Sequence, residues 1–498
     1  MKTPQHPPLS GLACADPVQA YPFRATASRY VLLLGCALLS ACAPLPDPAE
    51  APELKTVAHY ASPQRLQEAA AHTGTWPADP WWLDYADPQL SQLIKEALQD
   101  APDLAAAQAR LQLARATARQ AGAPLLPELS AQGSAGWQKV SYNNGTPAEF
   151  TPQNWNDVGR VGLDFSYELD FWGKNRAQLE AALSEQRAAS ADAAQARLLL
   201  TTNLVASYAE LARLHANLDS AKSAVEIRRQ TADLFAKRQA NGLETRGSLR
   251  QVEARLASAQ AEQIAIEESI ALQQNQLAAL MGAGPDRGLR IQRPGIQLTA
   301  QPAIPQRLAF DLLGRRPDVV AARWRVEAAS GRVQVAKAQF YPNVNLSAFV
   351  GYQSLGLDNL TRSGSDIGNV GPAISLPLFN GGRLAGQYQG AEATYAQAVA
   401  SYNATVTEAF HQTADTLVSL GALQQRLQRS QEAVQAASDA HQIARNRYQG
   451  GLATYLDVLS AEDGLLSSQR ELANLQTRLF SLHVALVRAL GGGYQTQA

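Results

Sequence analysis

Few residues in this chain could do chemistry. The seven His are scattered and form no H-E-x-x-H pair, and neither a glycine-rich phosphate loop nor a G-x-S-x-G elbow occurs. All three Cys (Cys14, Cys36, Cys42) lie in the first tenth of the sequence, so the remainder can hold neither a disulfide nor a Cys-based metal centre. No enzymatic activity, metal or cofactor is expected. Two reactive features remain. One is the thiol of Cys42, the best side-chain nucleophile for taking up an acyl or diacylglyceryl group. The other is Thr454-Tyr455-Leu456-Asp457, where a hydroxyl and a carboxylate three residues apart follow a Gly-Gly turn. That spacing fits a capping box, in which the acidic side chain satisfies free N–H groups at a helix start.

The setting of Cys42 gives it a role. Residues 31–39 (VLLLGCALL) form an apolar run after Arg24 and Arg29, too short to span a bilayer as a helix and typical of a secretory signal. The run ends in Leu39-Ser40-Ala41-Cys42, which resembles the lipobox of bacterial lipoproteins. The resemblance implies cleavage of residues 1–41, followed by attachment of diacylglycerol and a palmitate-type acyl chain to Cys42. Residue 43 is Ala and not Asp, which in such lipoproteins directs the product to the outer membrane. Residues 42–88 are rich in Pro, Ala and acidic side chains and read as a lipidated tether.

Composition excludes other classes. With 43 Lys+Arg against 44 Asp+Glu there is no basic excess to neutralise phosphates, so nucleic acid is not a partner. Proline is unevenly spread: of 26, none lies between Pro152 and Pro285 and none after Pro377. Such gaps predict long helices. The chain also contains itself twice. An offset of 215 carries Pro102-Asp103 onto Pro317-Asp318, Arg110 onto Arg325, and Gly136-Trp137 onto Gly351-Tyr352. An offset of 209 carries Gly242-Leu243 and Thr245 onto Gly451-Leu452 and Thr454. A constant offset broken only at loops marks a tandem duplication. The repeats are placed at residues 89–290 and 304–498.

Each repeat reads as helix, two strands and a long helical hairpin. The strand pairs are expected at about 128–171 and 343–379, and the hairpins at about 174–282 and 383–491. In the first repeat Val161, Leu163, Phe165, Tyr167, Leu169 and Phe171 alternate with Asp164, Ser166, Glu168 and Asp170. This period suits a barrel strand with lipid on one side and a polar lumen on the other. From Lys174 to Asn241 there is no Pro or Gly, enough for about 100 Å of helix at ~1.5 Å per residue. An antiparallel coiled-coil hairpin follows. Four strands cannot close a barrel, and open edges are not tolerated in lipid. Several chains are needed, and a trimer of twelve strands is the simplest arrangement that leaves a lumen.

At this point the sequence resembles the TolC-like outer membrane factors, specifically the lipoprotein branch of tripartite efflux systems (NodT-type efflux lipoproteins). The resemblance rests on Trp81-Trp82-Leu83-Asp84-Tyr85-Ala86-Asp87-Pro88, Tyr167-Glu168-Leu169-Asp170-Phe171-Trp172-Gly173, Arg315-Arg316-Pro317-Asp318, Leu376-Pro377-Leu378-Phe379-Asn380-Gly381-Gly382-Arg383 and Gly491-Gly492-Gly493-Tyr494. It covers residues 76 to 494. It implies a mixed α+β membrane protein: a homotrimeric twelve-stranded outer-membrane β-barrel continuous with an α-helical periplasmic barrel. The implied function is passive conduction of drugs or small toxic compounds from an inner-membrane pump, of the resistance-nodulation-division or a related class, and its periplasmic adaptor. By position, Leu456 and Asp457 match the family's periplasmic gate. Gly242, Leu243 and Thr245, with Gly451, Leu452 and Thr454, match the tips that adaptors contact. Ala453 and Ser460 depart from positions that carry a gating Arg and an acidic residue in relatives, so part of the ionic lock is expected to be missing. A protein-secretion exit duct shares the fold and is the alternative; a periplasmic adaptor has one hairpin where this chain has two.

Overall fold

In a computed structural model, residues 46–47, 52–55, 73–143, 145–296, 304–305 and 308–495 are described. Cys42, the signal before it and most of the tether lie outside them. Strand β1 (Thr73–Gly74) is followed by helices α1 (Pro88–Asp100) and α2 (Pro102–Gly122), strands β2 (Glu128–Gln138) and β3 (Asn156–Glu168), and helices α3 (Lys174–Ala240) and α4 (Arg246–Leu280). The second half repeats the order: β4 (Ile304–Pro305), α5 (Leu308–Arg315), α6 (Pro317–Ala338), β5 (Asn343–Leu355), β6 (Asp366–Ser375), α7 (Arg383–Gln449) and α8 (Tyr455–Ala489). The expected duplication holds in its lengths. Helices α3 and α7 are 67 residues each, and α4 and α8 are 35 each.

The long helices form because their sequences are dominated by Ala, Leu, Gln, Arg and Glu, with no Pro to interrupt them. Each starts after a glycine in the left-handed region, Gly173 (φ 74°) or Gly382 (φ 85°). Near the strands the lateral order is α2, α3, α6, α7; toward the hairpin turns it is α4, α3, α8, α7. A wall four helices wide results, bounded by α2 and α4 on one side and α7 on the other. Burial in α7 stops at Leu423; its last 26 residues contain no buried side chain.

Strands β2, β3, β5 and β6 form one antiparallel sheet in that order. The register places Leu129, Phe165, Ala348 and Val370 in one cross-strand row, and Ala131, Leu163, Val350 and Gly368 in the next. That face is apolar yet exposed: Leu163 is 45%, Val350 64% and Val370 77% accessible. Alternation was expected to run on to Phe171, but β3 ends at Glu168. The chain turns there because Asp170 accepts from the backbone N–H groups of Asn175 and Arg176 (3.1 and 2.9 Å) and starts α3. No described helix is long and apolar enough to cross a membrane.

Each half has its own core, and Val484 and Val487 of α8 join that of the first half. Tyr85, Leu90, Leu93 and Ile94 pack with Leu204, Tyr208 and Leu211 of α3 and Leu277 of α4, all nearly inaccessible. Each of the Leu and Ile side chains contributes roughly 1.5–3 kcal/mol relative to an exposed one. Asp87 organises this core. It caps α1 by accepting from Leu90 N–H (3.1 Å), and its other oxygen accepts from the Tyr208 hydroxyl (2.9 Å) and Gly295 N–H (3.0 Å). Arg316 does the same in the second half, bridging Asp318 (2.6 Å), Gln412 of α7 (3.0 Å) and the Ala489 carbonyl of α8 (3.4 Å). Trp82, Arg197, Trp324, Gly493 and Tyr494 line one cavity of about 770 Å³, so motifs from opposite ends of the chain close on one belt.

Candidate functional site

The two hairpin turns lie at the same end of the wall and differ in how they are built. In the first, the chain leaves α3 through Gly242 (φ 75°). Its N–H donates to the Gln239 carbonyl (2.9 Å), and that of Leu243 donates to the Arg238 carbonyl (2.8 Å). A side chain with a Cβ is strained at that φ. Thr245 then caps α4, accepting from Ser248 N–H at 3.1 Å. In the second turn Gly451 (φ 73°) and Leu452 repeat the pattern, with Leu452 N–H donating to Arg447 O (2.8 Å). Thr454 and Asp457 form the expected capping box: the Thr454 N–H and hydroxyl both donate to Asp457 Oδ2 at 2.8 Å. These hydrogen bonds from Thr454, with a smaller contribution from Arg447, hold the Asp457 carboxyl below the usual carboxylate range.

The side chains aligned with tip and gate are not buried in the single chain. Leu243, Leu452 and Leu456 are 65%, 74% and 66% accessible. Leu243 and Leu452 stand on the turns and Leu456 in the first turn of α8, each an exposed apolar side chain that its own chain leaves largely uncovered.

Between the turns, the two hairpins are fastened by contacts that the sequence patterns did not indicate. Phe235 of α3 is fully buried between Tyr448 of α7 and Tyr455 of α8, with ring centroids 6.5 and 4.1 Å away. Glu244 of the first turn accepts from the Tyr448 hydroxyl (3.3 Å) and faces Arg238 (3.7 Å), whose guanidinium lies 5.3 Å from the Tyr448 ring centre. Further along, Arg228 of α3 and Arg255 of α4 hold Asp463 of α8 at 3.1 and 3.2 Å. Arg228 also faces the buried Glu462 at 3.5 Å. Burial pushes the Glu462 carboxyl up, against the opposing pull of Arg228. The one available signal was three aromatic residues near the turns of helices otherwise rich in Ala, Gln and Arg. Among the described residues no cluster of His, Cys, Asp and Glu is placed to hold a metal ion.

Comparison with known proteins resolves the architecture. Residues 93–283 and 308–492 match the outer membrane efflux protein family, one segment in each half of the chain. The chain belongs to the outer membrane efflux protein family. Among members, the multidrug resistance outer membrane protein MdtQ of Escherichia coli is 31% identical over 472 residues, covering 92% of this chain and 96% of that protein. The fusaric acid resistance protein FusA of Burkholderia cepacia is 40% identical over 330 residues; the match spans 65% of this chain and 62% of that protein, under two thirds of its length. The crystal structure of the outer membrane protein VceC of Vibrio cholerae is 53% identical, with a TM-score of 0.81, covering 84% of this chain and 100% of that one. As a family member, the chain is an outer-membrane efflux channel subunit that extends into the periplasm, as the resemblance implied.

Proposed function

We propose that three copies of this chain close a twelve-stranded barrel and a helical tunnel, and that this conduit passively passes drugs or small toxic compounds out of the cell. The observation that carries the reading is the open four-stranded sheet. Its edge strands β2 and β6 each have one unpaired side, and its apolar face is exposed. In lipid those edges need partners, and copies of the same sheet supply them. The last 26 residues of α7, with no buried side chain, support lateral packing in the same way. Leu456 and Asp457 of α8 narrow the periplasmic end, and the leucines at the two turns receive a periplasmic adaptor that links the conduit to an inner-membrane pump. The resistance named for MdtQ and FusA supports small-molecule cargo over the secretion-duct alternative. Cys42, outside the described residues, anchors the mature N-terminus by lipid. Cys42→Ala should abolish incorporation of radiolabelled palmitate, and undiminished labelling would refute the anchor. Adaptor docking is tested by photo-crosslinkers at Leu243 and Leu452. Capture of a hairpin-bearing periplasmic protein is expected, and adducts spread evenly over control positions along the helices would count against it.

A further inference from the structure

Arg160 is the only basic residue on the four described barrel strands; their other charged side chains are Glu128, Asp157, Asp164, Glu168 and Asp366. The register puts Arg160 opposite Ser134 on one side and Gln353 on the other, on the polar face and away from the Val161, Leu163 and Val350 face. Its carboxylate neighbour on that face, Asp164, is four residues along the same strand, about 13 Å at ~3.3 Å per residue, too far to pair.

Arg160 is also held. Its guanidinium carbon lies 4.4 Å from the centre of the Phe349 ring, within reach of a cation–π contact. The ring lies over a floor of two glycines that face each other across β3 and β5, Gly162 and Gly351. A Cβ at Gly162 would stand 2.6 Å from Phe349 Cζ, and one at Gly351 would stand 3.0 Å from the same atom. The glycine at 162 leaves room for the ring to lie along the sheet toward Arg160, whereas at 351 a Cβ would first meet the Val161 carbonyl oxygen at 2.3 Å. The usual aromatic–glycine pairing in sheets accounts for the ring. It does not account for a lone cation stacked on it and facing the polar side.

We infer that Arg160, seated on Phe349, forms a ring of three positive charges inside the barrel, a charge filter that favours small anions at the exit of the conduit. The inference rests on the trimeric reading, since one chain supplies one charge. A low-dielectric wall focuses the field of such a ring into the lumen. The exit would then discriminate in the sense opposite to an acidic ring of Asp457 at the periplasmic end, and the two would act in series.

The test uses the full chain reconstituted in planar bilayers, with Asp457→Ala as background so that the periplasmic end does not set the selectivity. The chloride-to-potassium permeability ratio is read from reversal potentials in a KCl gradient. Arg160→Gln should lower this ratio at least threefold, Arg160→Lys should keep it within about 1.5-fold, and Phe349→Leu should lower it by an intermediate factor. Ratios equal to background in both Arg160→Gln and Phe349→Leu would overturn the filter while leaving the conduit intact. A monomer by native mass spectrometry would overturn both together.

Discussion

At the residue scale, two carboxylates near the second hairpin turn respond to acid in opposite senses. Asp457 is stabilised in its charged form by Thr454, so its folded value is depressed. The capping box is complete above the ordinary carboxylate range and is lost as pH falls through that depressed value. Glu462, raised by burial, behaves the other way: its contribution is present below the ordinary value and is lost as pH rises through the folded one. Asp457→Ala should raise single-channel conductance several-fold or weaken cation preference, and the wild-type channel should respond to acid where the Asp457→Ala channel does not. Unaltered conductance and pH response would leave Asp457 as a cap alone. The capping box was legible in the sequence because its donors and acceptor lie three residues apart. The ion-pair partners of Glu462 and Asp463, Arg228 and Arg255, were not legible, because they stand more than 200 positions away and only packing brings them in.

At the scale of elements, the helical hairpins owe their form to local signals and their attachment to distant ones. Proline gaps, glycine turns and Thr caps are short-range features, and they suffice to place both hairpins. Phe235 shows what such signals miss. Its own helix gives no reason for it to be fully buried; Tyr448 and Tyr455 of the other hairpin do. Phe235→Ala removes an inaccessible ring from this clasp and should cost about 3–5 kcal/mol locally. The expected signature is new protease cleavage confined to the lower ends of α3 and α8 while the barrel stays intact. A cleavage pattern like that of the wild type would show that the ion pairs of Asp463 hold the hairpins without it. The strand limits were less legible than the helices, since alternation continues past Glu168 while the hydrogen bonds of Asp170 have already turned the chain.

At the scale of the molecule, a single chain is an incomplete object. Its sheet has two open edges, its apolar strand face is bare, and α7 is buried only as far as Leu423. Native mass spectrometry in detergent should give a trimer at all concentrations where the protein is folded, and a stable monomer would defeat the closure argument. Strand counting reached this architecture from sequence because closure is a global constraint that few arrangements satisfy. The belt formed by the Trp81-Trp82 and Gly491–Tyr494 motifs was visible only as a resemblance. The sequence alone could not show that Gly491 is required because a Cβ there would run into the Arg315 carbonyl.

The equal lengths of the paired helices have a consequence for how such a chain can change. Because α3 matches α7 and α4 matches α8 residue for residue, the two turns end level, and each helix works as a ruler for the other. One residue added to a single arm would drop its turn by ~1.5 Å and rotate it by about 100°, taking Leu243 out of line with Leu452. Seven residues added to one hairpin would leave a step of about 10 Å at the tip; added to both arms of both hairpins, they would lengthen the tunnel and keep its end flat. Reach across the periplasm can therefore drift only in matched increments.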